Sequence, residues 1–400
     1  MDLIRRLDPA GAGRAMTALT GVYYVIMDDC VEGFLENGCA VRYPAVRRNA
    51  ADPQVFFSEP ALREAVREGR YDFFFAINGD GLDDGGIMAA DLMRLKKTIA
   101  LWYVDDPFNS YAPWHADRRL GPAARDYERL FFFAVDETFV ESLKARGYRN
   151  AVYLPHAVNP AWAEGAADVP NLPDAPVTFV GNLDLASLPI FDGMLSEFDA
   201  GAARLAREYA EARCERCCLA WEDFLREAGA EIADPDGRVR HAALRLATIR
   251  CKLHLVRALE TVGVNVYGFE DWKEALDGTA HYKGPVPYYA GLSTVYRRSL
   301  ITLNISHAQM SRGCNQRLLD VPACGGFLIT DARPAIRDLL PGLRVPQYGT
   351  AQELVRRIHD AVRQPERRAE GIRGMQEMIR ARHTYGRRMK TVLEEISRAV

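Results

Sequence analysis

The sequence predicts an α/β fold: two doubly wound, parallel-sheet domains in tandem, the second carrying a helical insertion. Three observations predict it. Short, almost continuously apolar runs alternate with amphipathic stretches, the pattern of parallel strands covered by helices on both faces. The alternation stops at segment 159–176, which holds four prolines, and restarts beyond it, so the 400 residues divide in two, as a chain too long for one core usually does. A block near 184–260 then reads as helical throughout, far longer than one crossover helix.

In the first half the candidate strands are 40–46, 71–77, 98–104, 130–135 and 151–155. Amphipathic helices fit 60–68, 86–97 and 137–146. A helix over 22–36 ends at Asn37-Gly38, a C-cap signal that feeds the strand at Ala40. No clear strand or glycine-rich loop precedes it. In the second half the strands are 177–182, 264–269, 281–284, 300–306, 326–330 and 343–346, with helices over 288–298 and 351–362 and a charged helical stretch over 365–400. The expected domains are 1–170 and 171–375, with 376–400 a C-terminal helix that packs back on the first. Ligands of such sheets bind at the carboxyl ends of the strands, which places the expected site in a cleft between the domains.

Charge narrows the partners. Lys and Arg number 51 against 54 Asp and Glu, a net charge of −3. Nothing here favours a nucleic-acid or polyanionic-membrane partner. No apolar run reaches the roughly 18 residues of a spanning helix, and two early arginines lead into no apolar signal core. Eight cysteines are ordinary for a reduced, cytoplasmic protein. Cys214, Cys217 and Cys218 cluster, yet lack a second ligand pair at metal spacing; they read as packing residues, and no metal site is expected.

Several motifs are missing. Gly11-Ala12-Gly13-Arg14 is the nearest approach to a dinucleotide fingerprint and follows no strand, and there is neither a P-loop nor a nucleophile elbow. The informative segment is 300–331, where an apolar strand ends in Asn304 and a polar loop with Ser306, His307 and Arg312 follows. Asn315, Gln316, Arg317 and Asp320 open the next helix. Helix N–H groups and the Arg317 guanidinium suit a diphosphate, and Asp320 suits a ribose or sugar hydroxyl. The competing reading is a local Arg317–Asp320 ion pair. Asp105 and Asp106 follow the strand at 98–104; paired acids at a strand end can hold hydroxyls or act as a base, while an Asx-turn before Pro107 explains one of them but not both. The segment Asn78-Gly79-Asp80-Gly81 is a ligand loop or a turn. His156, after the last strand of the first half, also points to the expected cleft.

The stretches ALWYVDDPF, FFFAVDETFVESLKARGYRNAVYLPHAVNP, VTFVGN, VYGFEDW, KGPVPYYAGLSTVYRRSLITLNIS and NQRLLDVPACGGFLITDARPAIRDLL together resemble the CgeB family of spore-maturation-type glycosyltransferases, from about Thr20 to the C-terminus. The resemblance implies the GT-B architecture: two facing Rossmann-like domains, the C-terminal one binding a nucleotide diphosphate sugar and the N-terminal one the acceptor. Retaining GT-B enzymes carry two glutamates separated by seven residues; Asp320 takes the second position here and Arg312 the first. The basic clamp after the first strand of the C-terminal domain is also replaced, since Gly181-Asn182-Leu183-Asp184 holds no cation, and Arg250 or Lys252 is expected to supply it.

The expected function is therefore sugar transfer, of hexosyltransferase type and without a metal ion or other cofactor, from a nucleotide diphosphate sugar to a glycan, protein or small-molecule acceptor. Asp105, Asp106 and His156 are the candidate catalytic residues, one of them the base if the reaction inverts. The donor would contact Gly181, Asn182, Arg250, Lys252, Asn304, Asn315, Gln316, Arg317, Asp320, Gly325 and Gly326, the two glycines allowing close backbone approach. The helical insertion is a candidate homo-oligomer interface. A catalytically silent scaffold on the same fold is the alternative, and a sugar-nucleotide epimerase the third option.

Overall fold

A computed structural model describes residues 5–8, 16–21, 25–43, 45–47, 55–57, 59–109, 115–164, 176–276 and 280–398. The stretch around Gly11 and most of the proline-rich segment lie outside them. The chain forms two compact units, Met1–Ala157 with His383–Val400, and Val158–Arg382. Two helices, Pro365–Arg382 and Tyr385–Ser397, lie within the stretch expected to be helical over 365–400. Thr384 caps the second by accepting the Arg387 N–H, and that helix belongs to the first unit.

The first unit holds β1 (Arg5–Leu7), β2 (Thr17–Thr20), β3 (Ala40–Tyr43), the small antiparallel ribbon β4 (Ala45–Arg47) and β5 (Val55–Phe57), then β6 (Phe73–Ile77), β7 (Thr98–Tyr103), β8 (Leu130–Ala134) and β9 (Asn150–Tyr153). The main sheet runs β1-β3-β2-β6-β7-β8-β9, parallel except for β1 on β3. Every residue of β6, β7 and β8 is buried, which explains their unbroken apolar sequence. Each fully buried Phe contributes about 1.5–3 kcal/mol, and Phe73, Phe74 and Phe75 stand in succession at 0 % exposure. Strand β2 was not read from the sequence: its four residues, TALT, carry only one large apolar side chain. It nevertheless sits inside the sheet, with the helix Met27–Glu36 leading from it to β3.

The second unit holds β10 (Val177–Val180), β11 (Val264–Tyr267), β12 (Ala280–Gly284), β13 (Ile301–Asn304), β14 (Leu328–Asp331) and β15 (Gln347–Tyr348). They form one parallel sheet in the order β12-β11-β10-β13-β14-β15, which is the Rossmann order 3-2-1-4-5-6. Between β10 and β11 lie the helices Leu188–Leu195, Ala200–Glu215, Trp221–Glu227 and Arg238–Arg257. The last of these is buried nearly all round. One side packs in the insertion's own core with Tyr209, Trp221 and Phe224. Ile249, Cys251, Leu255 and Val256 pack on the sheet with Phe179, Val266 and Leu303. Among the described residues no helix is long and apolar enough to cross a membrane.

Candidate functional site

A doubly wound sheet opens where its strand order reverses, because the connections on either side leave in opposite directions. In the second unit that point lies between β10 and β13. The span 180–184 at the carboxyl end of β10 receives three cations there. Arg317 Nη1 donates to Val180 O (2.8 Å), Lys252 Nζ donates to Asn182 O (2.7 Å), and Arg245 pairs with Asp184. Arg317 also donates through Nε to Asn304 Oδ1 (2.8 Å) and through Nη2 to Ile305 O (2.9 Å), tying the ends of β10 and β13 together. These bonds leave N–H groups on Lys252 and Arg317 over for a ligand.

The insertion helix Arg238–Arg257 supplies two of the three cations. Arg245 and Lys252 are seven residues apart and share a face, on which Thr248 Oγ1 also accepts the Ala308 N–H (2.9 Å). The loop after β13 is thereby fixed, and His307 Nε2 lies 3.4 Å from Arg245 Nη1. Asp331 and Arg333, a buried ion pair (2.6 Å), brace the same loop through Ser306 and the Met310 carbonyl. Burial, together with Arg317 and Arg245, pushes the Lys252 ammonium down to about 7. Burial and then Lys252 and Arg245 hold the His307 imidazole well below its ordinary value. Lys252 and His307 are thus each made less basic by burial and by the cations beside them, an electrostatic arrangement that a nearby anion would relieve.

Several expected donor contacts have other duties. Arg250 is two residues from Lys252, on another side of the helix, and pairs with Glu211 (3.7 Å) within the insertion; Lys252 and Arg245 are the cations at β10. Asn304 is fully buried, its Oδ1 accepting from Arg317 and Asn315 (2.9 Å) and its Nδ2 donating to Thr330 Oγ1 (3.0 Å), so it positions Arg317 and does not present itself to a ligand. Asp320 is 1 % exposed and accepts from the Tyr288 hydroxyl (3.0 Å), to which Gln316 Nε2 also donates (2.6 Å). Gly325 and Gly326 end the helix Arg317–Ala323, at the amino end of β14 and away from the strand ends that carry Arg317. Gly325 adopts φ +85°, and a Cβ on Gly326 would stand 2.7 Å from Tyr296 O; both serve the helix end and its packing. Gly181 and Asn182 do lie within the cation cluster, Gly181 O accepting the Trp272 indole N–H (2.7 Å) and Asn182 Oδ1 the Phe269 N–H (3.2 Å). All eight cysteines are free thiols, and no metal-holding group of His, Cys, Asp and Glu occurs among the described residues.

The first unit reverses between β2 and β6. Gly21, just past β2, approaches the end of β6 so closely that a Cβ would lie 2.0 Å from Asp80 O; only glycine fits. Asn78, at φ +52°, turns the chain there. Its side chain donates to Asp105 Oδ2 (2.9 Å) and accepts from the Val104 N–H (2.9 Å), fixing the end of β7 beside it. Burial, reinforced by Asp105 and opposed by Arg119, pushes the Asp80 carboxyl up to about 6. Asp106 is the Asx-turn residue, its Oδ1 accepting the Phe108 N–H (2.9 Å) at 4 % exposure, so the two adjacent acids divide between a turn and the site. His156 is buried and pushed down to about 3 by burial and Arg388, far too weak for a general base near neutral pH. Its carbonyl accepts from Arg388 Nη2 (2.9 Å), which fastens the C-terminal helix.

Arg245 and Gly21 were not singled out in the sequence, and His307 and Asp80 were placed in candidate loops without a role. The seven-residue spacing of Arg245 and Lys252 was the available signal for the first; the others depend on which strands become neighbours.

Residues 249–394 match the family described as Glycosyl transferase-like, and no curated protein matches the sequence. Among solved structures the chain is similar to a sucrose-phosphate synthase from Thermosynechococcus elongatus (11 % identity, 97 % of this chain and 100 % of that one, TM-score 0.54). It is also similar to the trehalose-6-phosphate synthase OtsA (12 %, 96 % and 100 %, TM-score 0.53), and to Anabaena HepE solved with UDP-glucose (12 %, 96 % and 100 %, TM-score 0.54). The chain therefore has the two-domain GT-B fold, with a glycosyl transferase-like region that takes in Lys252, His307 and Arg317.

Proposed function

We propose that the protein transfers a sugar from a nucleotide diphosphate sugar, and that Arg245, Lys252 and Arg317 hold the diphosphate. One observation carries the reading: three cations from two distant segments are hydrogen-bonded to the five residues 180–184 at the sheet's switch point. Glycosyl transfer builds negative charge on the departing phosphate oxygen, and fixed cations in a part-buried site stabilise that charge more than the ground state. HepE, on the same fold, was solved with UDP-glucose, which makes UDP and UDP-glucose the first ligands to try. In this reading Asp80 receives the proton of the acceptor hydroxyl, since a carboxyl near pH 6 is ionised at neutral pH yet basic enough to share a proton. The chain's own cations neutralise the leaving group, the transferase is of the CgeB-like kind, and the free cysteines suit a cytoplasmic setting.

Thermal-shift titration with nucleoside diphosphates, followed by release of diphosphate from nucleotide sugars, tests this. A rise in Tm with a nucleoside diphosphate and steady release of that diphosphate is the expected result. No shift with any nucleotide overturns the donor site. Binding without turnover turns the protein into a scaffold, and conversion of one nucleotide sugar into another makes it an epimerase.

A further inference from the structure

The second unit has a concavity at the amino ends of β14 and β15. Its volume is about 350 Å³, and it lies between the loop before β15 and the helices Ala351–Arg363 and Pro365–Arg382. Four arginines line it, Arg344, Arg357, Arg367 and Arg368, against one carboxylate, Asp360. The segments that bring them converge from three places in the chain.

The bonds these arginines make leave their charge uncompensated. Arg357 Nε donates to Gln347 O (3.3 Å) and Arg367 Nη1 to Gln364 Oε1 (3.1 Å), while Arg368 bonds the carbonyls of Ala361 and Val362 at the end of a helix. All four acceptors are neutral groups. Arg344 carries no hydrogen bond or ion pair among the described residues, although the surface elsewhere pairs its arginines freely. Buried Phe327 gives the hollow one apolar wall. Guanidinium groups match phosphate by paired N–H bonds, an aliphatic or aromatic wall suits the face of a sugar ring, and Asp360 can accept a hydroxyl.

We propose that this hollow is a second anion site, which takes a phosphorylated sugar. It is separate from the cation cluster at β10, because the two lie at opposite ends of the strands, roughly 13 Å apart along a four-residue strand. It does not depend on the donor reading.

Isothermal titration of ribose 5-phosphate into the 400-residue chain tests it, with ribose as the uncharged control. Saturable binding of ribose 5-phosphate, none of ribose, and binding at least tenfold weaker in R344E/R367E are expected. The same binding persists in R245M/K252M, where the cluster at β10 has lost two cations. No binding, equal binding of ribose, undiminished binding in R344E/R367E, or loss of binding in R245M/K252M each overturns the proposal. Both substituted arginines are exposed, and an unchanged circular dichroism melt certifies the variant; if it melts early, R344Q alone is read, with a weaker Kd expected and an unchanged one overturning the site.

Discussion

The two units solve one topological problem with opposite charge. Each has a sheet, parallel but for the edge strand β1, whose direction of winding reverses between β2 and β6 in the first and between β10 and β13 in the second. At the first reversal the chain gathers Asn78, Asp80 and Asp105, all from loops directly following strands. At the second it gathers Arg245, Lys252 and Arg317, two of them from a helix inserted between the first and second strands of that sheet. The difference teaches that topology selects the place and the local side chains select the chemistry. An acidic reversal can take a proton or hold hydroxyls, and a cationic one can hold an anion.

The sharpest break between them is Asp80→Asn. The amide keeps the shape and removes the proton acceptor, so release of diphosphate from a nucleotide sugar should fall by roughly 10²–10⁴-fold. Nucleotide affinity should stay unchanged. If Asp80 is the base, the unsubstituted protein's rate should fall below about pH 6, as Asp80 protonates, and that limb should vanish in the variant. A variant that keeps full rate and the acid limb would move the base elsewhere.

Next comes the reverse separation. Each hydrogen bond to a charged group contributes about 1.5–3 kcal/mol, so R245M/K252M should weaken UDP binding by roughly a hundredfold or more in calorimetry. Undiminished binding would remove the cationic half of the comparison.

Much of this contrast was legible in the sequence, and its limits are physical. The nearly unbroken apolar runs at β6, β7 and β8 announce strands buried on both faces, and Arg317, read from the sequence as an anion contact, is found at the ends of β10 and β13. Lys252 was named as a substitute for the missing clamp, but Arg250 was offered equally, because helix phase is needed to choose between residues two apart. Asp105 was chosen for its neighbour Asp106, whereas its partner is Asn78, 27 residues back. Asp80 could not be told from a turn residue, since its raised affinity for protons comes from burial and from Asp105, both tertiary. Strand β2 escaped because TALT is too short to show a period, yet it forms one side of the first reversal.

A smaller effect sharpens the cationic side. Lys252 is held near 7 in the free protein, and a bound diphosphate favours its charged form. Above about pH 7 binding must therefore take up a proton, and affinity should fall by up to tenfold per pH unit. Below that pH the ammonium is already charged and this dependence should disappear. Lys252→Arg, charged throughout, should flatten the curve. An equally steep decline in that variant would assign the titration to another group.

The smallest expected effect tests the choice of cations itself. Arg250 sits between Arg245 and Lys252 in sequence, but its ion pair with Glu211 is long, at 3.7 Å, with the Glu211 side chain 75 % exposed. Such pairs contribute about 0–1 kcal/mol. Arg250→Ala should thus shift Tm little and leave UDP affinity within about twofold of native. The result matters because charge alone would rank the three cations equally, whereas helix geometry ranks them by direction. If Arg250→Ala weakened UDP binding as much as Lys252→Met, the helix would present a different face to β10. The difference between the two reversals would then rest on Arg317 and on general positive potential, with no built cluster behind it.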